Sequence, residues 1–181
     1  CSSDLLSSKP LRWSDHIQTL TDDHRTIMGF EAAQTMADTL AKHKDALSPQ
    51  LQDLLINGQA IEQRSYQEAL TRTRSSKSSL ERLLGKNGVI VGPAASGPAP
   101  DFTTGTGSPD LSRPWQLLGL PVVVVPGAKT TTGLPLGIQL IGLPGSEKSL
   151  LNLGRRLERV LRKMHSLSEE ISYPELKDLT W

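Results

Sequence analysis

Two apolar runs decide how this 181-residue chain is read: WQLLGLPVVVVPG at Trp115–Gly127 and GLPLGIQLIGLPG at Gly133–Gly145. Val122–Val125 and Leu136–Ile141 are each bracketed by proline and glycine, and the link Lys129–Gly133 is polar. That arrangement predicts two short strands joined by a turn. Neither run alternates cleanly between apolar and polar residues, so both faces are expected to be covered, as in a layered α/β core.

Beyond the strands, Ser146 is the expected cap of a closing helix. Its apolar stripe is Leu150, Leu153, Leu157, Val160, Leu161 and Met164, opposite Arg155, Arg156, Arg159 and Arg162. Leu167–Trp181 reads as a tail broken at Pro174. Upstream, Gly92–Pro114 is rich in Gly, Pro, Ser and Thr and predicts a long loop, preceded by a short strand at Val89–Val91. Three helices are expected before it. One runs over about 22–47 with Thr21 or Asp22 as N-cap. A second starts at Ser48-Pro49 and closes at Asn57-Gly58. A third covers Ala60–Leu84, and its polar middle, Thr71–Ser79, should lie on the surface or fray. Residues 1–20 show no sustained period and read as a loop or strand remnant.

Composition excludes several classes. With 20 Lys and Arg against 19 Asp and Glu, no global field recommends a nucleic acid or an anionic membrane as partner. No apolar run approaches a membrane span, and the N-terminus lacks the pattern of a signal peptide. The single cysteine, Cys1, excludes an internal disulfide framework and a cysteine metal cage, which favours the cytoplasm. Since the chain opens on Cys1 rather than Met, a further upstream portion is expected.

Residues spread along most of the chain resemble the amidase signature family. His24, Ile27, Glu31, Ala32 and Ala33 are similar to a family helix, as is the Leu47-Ser48-Pro49 step that follows, and then Gly58, Tyr66 and Ala69. Gly88–Ala95, Gly97 and Ala99-Pro100 resemble the family's buried strand and Ala-Pro loop, although Gly88 stands where an aspartate is usual. Leu117–Pro121, Gly133–Gly142, Gly145, Leu150-Leu151 and Leu157-Glu158 complete the match. The resemblance implies an α/β fold, the C-terminal part of a single amidase signature domain, with helices packed on a few strands of a mixed sheet. It also implies amide hydrolysis by a serine nucleophile, with a lysine base, a bridging serine and backbone donors for the oxyanion. A hydroxyl needs such a base because it is a poor nucleophile at its own pKa. The Gly-Ser-Ser-Gly-Gly-Ser segment that carries this chemistry is absent from these 181 residues, so no catalytic residue is assigned here and the isolated segment is expected to be inactive.

Other stretches imitate active-site chemistry. Ser75-Ser76-Lys77-Ser78-Ser79 joins serine and lysine, but adjacent helical residues diverge, and a solvated face is the better reading. Gly105-Thr106-Gly107-Ser108 lacks the third glycine of a dinucleotide loop, and Gly127-Ala128-Lys129-Thr130 lacks the glycine before lysine of a phosphate loop. His16, His24, His43 and His165 have no ligand spacing, so neither metal nor cofactor is expected. The arginines of the closing helix read as an exposed face rather than a nucleic-acid site.

The resemblance places the loop ahead of Leu117–Pro121 near the acyl pocket. Asp110, Arg113, Trp115 and Gln116 are therefore the candidate substrate-binding residues, with a small-molecule amide as partner. The alternative makes Trp115 and Leu118 core and gives Asp110 a capping role. At the level of function, the alternatives are a glutamine amidotransferase subunit and a non-catalytic truncated fragment acting by interaction. A homodimer is the one assembly left open. Residues 1–181 expressed alone are expected to expose apolar surface and aggregate.

Overall fold

The computed structural model describes residues 8–168. Cys1, the tail after Ser168 with Pro174, and the His165 side chain lie outside the described residues. Two compact units emerge, one up to Gly88 together with Ser112–Leu120, the other Val89–Leu111 together with Pro121 onwards.

The first unit is helical: α1 Ser14–Thr35, α2 Ala37–His43, α3 Pro49–Gln59, α4 Gln63–Leu84 and α5 Arg113–Leu117. Helix α1 is its hub, packing against α3, α4 and α5. It begins at Ser14, where a loop was expected as far as residue 20. Trp13, Ile17, Leu20, His24 and Ile27 share one face at three- and four-residue steps, while polar Asp15, Gln18 and Asp22 intervene and hide the period. Thr21 and Asp22 are consequently interior positions rather than caps, and the Thr21 hydroxyl donates to the Ile17 carbonyl at 2.9 Å. A break at Met36 and a 3-10 turn at Lys44–Ala46 divide the single helix expected over 22–47.

Ser48 caps α3 as expected, accepting from Leu51 N, with Pro49 at the first helical position. Asn57-Gly58 does not end that helix. Gly58 lies in it because α3 crosses α1 at Gly29, where a Cβ on Gly58 would overlap the Gly29 carbonyl and come within 2.9 Å of Ala33 Cβ. The glycine permits a backbone approach that any side chain would prevent.

The polar middle of α4 does not fray, and Thr71, Arg72, Arg74, Ser75 and Ser78 lie on the surface as expected, but Thr73 and Ser76 turn inward. The helix is continuous, and Ala69, Thr73, Ser76 and Leu80 form its buried line. Burying polar groups is costly unless they are bonded, and here they are. The Thr73 hydroxyl donates to Ala69 O at 2.9 Å. Asp23 of α1, with its side chain 4% exposed, takes Arg72 Nη2 at 2.6 Å and Nε at 3.1 and 3.2 Å. Tyr66 donates to Glu31 at 2.8 Å and stacks on Phe30 with ring centroids 4.3 Å apart. The Glu-Ala-Ala segment of α1 therefore serves the α1–α4 joint.

In the second unit, β1 Ile90–Pro93, β2 Val122–Lys129 and β3 Pro135–Ile141 form a sheet in the order β1-β3-β2. Both ladders are antiparallel. The short β2–β3 link allows no crossover, so these two strands can only run antiparallel. Gly133, at φ 85°, makes the turn. Pro126 is tolerated because β2 lies at the sheet edge and the register shifts there. Helix α6, Glu147–Ser168, packs on the face carrying Val123, Val125 and Leu140. A Cβ on Gly154 would lie 3.0 Å from Val123 Cγ1, so this glycine sets the closeness of the contact.

Coverage of both sheet faces, expected from the unbroken valine run, does not hold throughout. Val122 and Val124 are 40% and 58% exposed, and the four identical valines had masked a two-residue alternation. The stripe of α6 is buried at Leu150 but exposed at Val160 and Met164, since the strands reach only its first turns. Ser146 precedes α6, yet its hydroxyl is buried without a hydrogen bond and makes no cap. The long loop is closed by one side chain: Gln139 Nε2 donates to Pro93 O at 2.9 Å and to Leu111 O at 3.2 Å.

The Asp23–Arg72 pair generates a stability prediction. Arg72→Met strands a buried carboxylate and should cost about 3–5 kcal/mol, whereas Asp23→Leu with Arg72→Met should recover most of that loss. Denaturant melts of the complete gene product decide it. Equal losses in the single and double variants would contradict it.

Candidate functional site

Helix α5 carries three of the four residues singled out from sequence. Pro114 opens it, the Ser112 carbonyl accepts from Gln116 N at 3.1 Å, and Gly119, at φ 65°, turns the chain away. Five residues cannot hold a helix on their own, so packing must fix it. Pro114 and Trp115 are buried, the latter 5% exposed, and the Trp115 ring is stacked on Trp13 with centroids 6.4 Å apart at 12°. Trp13 in turn stacks on His16 at 4.7 Å. Leu118 is buried too, at 2%. Trp115 is thus bound into the packing of this unit, and Gln116 is exposed.

Arg113 reaches α1. Its Nη1 donates to His24 Nδ1 at 3.2 Å, and because a guanidinium has no acceptor, that ring nitrogen carries the lone pair. Burial, and then the positive charge of Arg113, hold His24 below its ordinary value. His24 was absent from the sequence-derived site because 89 positions separate it from Arg113. Its only sequence signal was membership of the family-like helix. Asp110 belongs to the second unit, where its backbone N–H donates to Ser108 Oγ at 3.2 Å. Ser112, not Asp110, occupies the N-cap position of α5.

In the serine-rich stretch of α4, Ser75 and Ser78 lie on the solvated face expected, and Ser76 departs from it. Ser76 is 3% exposed and its Oγ lies 2.9 Å from His16 Nδ1. A serine beside a histidine has the parts of a nucleophile and base. Ser76 is buried and His16 is stacked on Trp13, and the pair joins α1 to α4. The neighbouring cleft, about 240 Å³ and lined by Asp15, His16, Thr19, Arg72, Ser75 and Ser76, is smaller than a typical ligand site. Among the described residues no group of three or more His, Cys, Asp or Glu is placed to hold a metal, and no helix is long and apolar enough to cross a membrane.

His24 predicts a pH dependence. Its unfolded pKa is about 6.5 and its folded value is lower, so its stabilising contribution is full above 6.5 and is lost as pH falls from there through the folded value. The melting temperature should decline over that interval, and His24→Gln should flatten the decline. An unchanged slope in the variant would contradict the assignment.

Comparison with known proteins bears on the whole arrangement. The Amidase family profile matches residues 5–151. AmiD of Mycobacterium tuberculosis, designated an amidase, is 26% identical over 140 residues, covering 72% of this chain and 30% of AmiD. One component of the glutamyl-tRNA(Gln) amidotransferase of Bradyrhizobium sp. (strain ORS 278) is 49% identical over 44 residues, 24% of this chain and 9% of that component. A crystal structure of an amidase superposes with a TM-score of 0.73 at 27% identity, covering 80% of this chain and 36% of the other. The chain therefore spans about a third or less of the length of these relatives.

Proposed function

This chain belongs to the amidase family, and from that premise we propose that it is one segment of a serine amidase hydrolysing linear small-molecule amides in the cytoplasm without a cofactor. The nucleophilic serine, bridging serine and lysine lie, in this reading, on polypeptide outside these 181 residues. The observation that carries it is the superposition that takes up 80% of this chain but 36% of an amidase. Fold alone does not name a substrate, so the segment's own chemistry has to come from α5. There, Arg113 supplies donors and the exposed Gln116 both a donor and an acceptor for the acyl portion of the substrate. Trp115, anchored by its stack on Trp13, forms the wall that holds these two in place.

A second reading, a component of an amidotransferase that uses glutamine, is favoured by the 44-residue match at 49% identity. Ammonia release from free glutamine, compared with a panel of linear amides, separates the two.

The complete gene product should hydrolyse linear amides. Gln116→Ala, at a surface position where about 0.5 kcal/mol or less of stability is at stake, should change the kcat/KM ratio between an acyl group bearing a polar end and a plain alkyl acyl group by about fivefold. Equal effects on both substrates would remove α5 from the pocket. An enzyme inert towards every amide would overturn the proposed function itself.

A further inference from the structure

Helix α6 outlasts the sheet that buries its first turns. Leu150 and Gly154 are buried, whereas Leu151, Val160 and Met164 are 54%, 54% and 50% exposed. Four-residue steps along the helix place these apolar side chains in rows with cations, Arg156 with Val160 and Met164 in one, Leu151 with Arg155 and Arg159 in the other. Arg162 is paired with Glu158 at 2.7 Å, while Arg155, Arg156 and Arg159 are exposed and have no ion pair among the described residues. Over its whole length α6 carries six Lys and Arg against two Glu. A face of this composition fits an occupant that presents carboxylates and apolar side chains together.

We propose that residues 169–181 are that occupant, returning along α6 so that their carboxylates meet Arg155, Arg156 and Arg159 and their apolar side chains cover Val160 and Met164. The segment lies outside the described residues, and its sequence, EEISYPELKDLTW, has the complementary composition. Glu169, Glu170, Glu175 and Asp178 stand against one cation, Lys177, and Ile171, Tyr173, Leu176, Leu179 and Trp181 are interleaved with them. Pro174 cannot continue a helix without losing a backbone bond, which suits a reversal of direction between Ser168 and Glu175. Length allows the match: residues 175–181 span about 23 Å when extended, and α6 from Ser168 back to Arg155 measures about 20 Å. Each exposed ion pair adds little, but the covalent tether makes the encounter intramolecular. An anionic lipid surface, the other common occupant of a cationic amphipathic helix, is disfavoured because four carboxylates are tethered to the end of this one.

The test uses the complete gene product with Val160 replaced by a photoreactive, benzophenone-bearing residue, and the cross-linked peptide is identified by mass. A cross-link into residues 169–181 of the same molecule is expected. Capture of any other part of the protein, a product of twice the mass, or no cross-link at all overturns the proposal. Oxidation of Met164 by dilute hydrogen peroxide gives an independent readout, since a covered thioether reacts more slowly. Deleting residues 169–181 should speed sulfoxide formation at Met164 by about threefold, and Glu169→Lys, Glu170→Lys, Glu175→Lys and Asp178→Lys together should do the same. Equal rates in the deletion variant and the parent would show that this segment does not cover Met164. A faster rate on deletion but not on charge reversal would overturn the pairing of its carboxylates with the arginines. Adsorption of the parent to phosphatidylserine vesicles, abolished by Val160→Glu, would assign the face to a membrane instead.

Discussion

A buried carboxylate imposes the central constraint on the helical unit. Asp23 sits on the inner side of α1 with its side chain 4% exposed, and such a group is tolerated only with a partner. Arg72 meets that requirement, and in doing so brings the polar face of α4 against α1. Thr73 and Ser76 follow it into the interior, each with a hydrogen bond of its own. The Gly29–Gly58 crossing fixes α3 on the same helix. Once α1 is held on these two sides, its remaining surface carries Trp13 and His24 in a fixed relation.

That remaining surface is where α5 docks. A helix of five residues derives its geometry wholly from its neighbours. Trp115 supplies apolar anchoring through the stack on Trp13, and Arg113 supplies direction through His24. The position of the candidate substrate-facing groups is thus set by α1, far earlier in the sequence. A change at Trp13 or His24 would alter α5 without touching it.

Much of the fold was legible in the sequence, for reasons tied to particular residues. The glycine- and proline-bracketed runs around Val122–Val125 and Leu136–Ile141 mark a hairpin because turn chemistry is local. The Ser48-Pro49 start of α3 is legible for the same reason. What was illegible depended on partners distant in sequence. The polar stretch Thr71–Ser79 gives no sign that Asp23 and His16 await it. Ser14 as the start of α1 is hidden by Asp15, Gln18 and Asp22 on the outer side of the helix. Four consecutive valines carry no alternation, so the exposed side of β2 could not be told from its buried side. At the candidate site, Arg113, Trp115 and Gln116 were reached through the family resemblance. His24 was recognisable only as a member of a helix, because a histidine without a spaced partner has no chemical signature.

The proposed function divides the labour: amidase chemistry on a serine elsewhere, with this segment supplying core and the α5 wall. A fluorophosphonate, which phosphonylates activated serines, tests it on the complete gene product when the labelled peptide is identified by mass spectrometry. A single labelled serine outside residues 1–181 is expected, with Ser75 and Ser76 unmodified. Label on Ser76, or on any other serine of this chain, would show that the nucleophile resides here and would overturn that division.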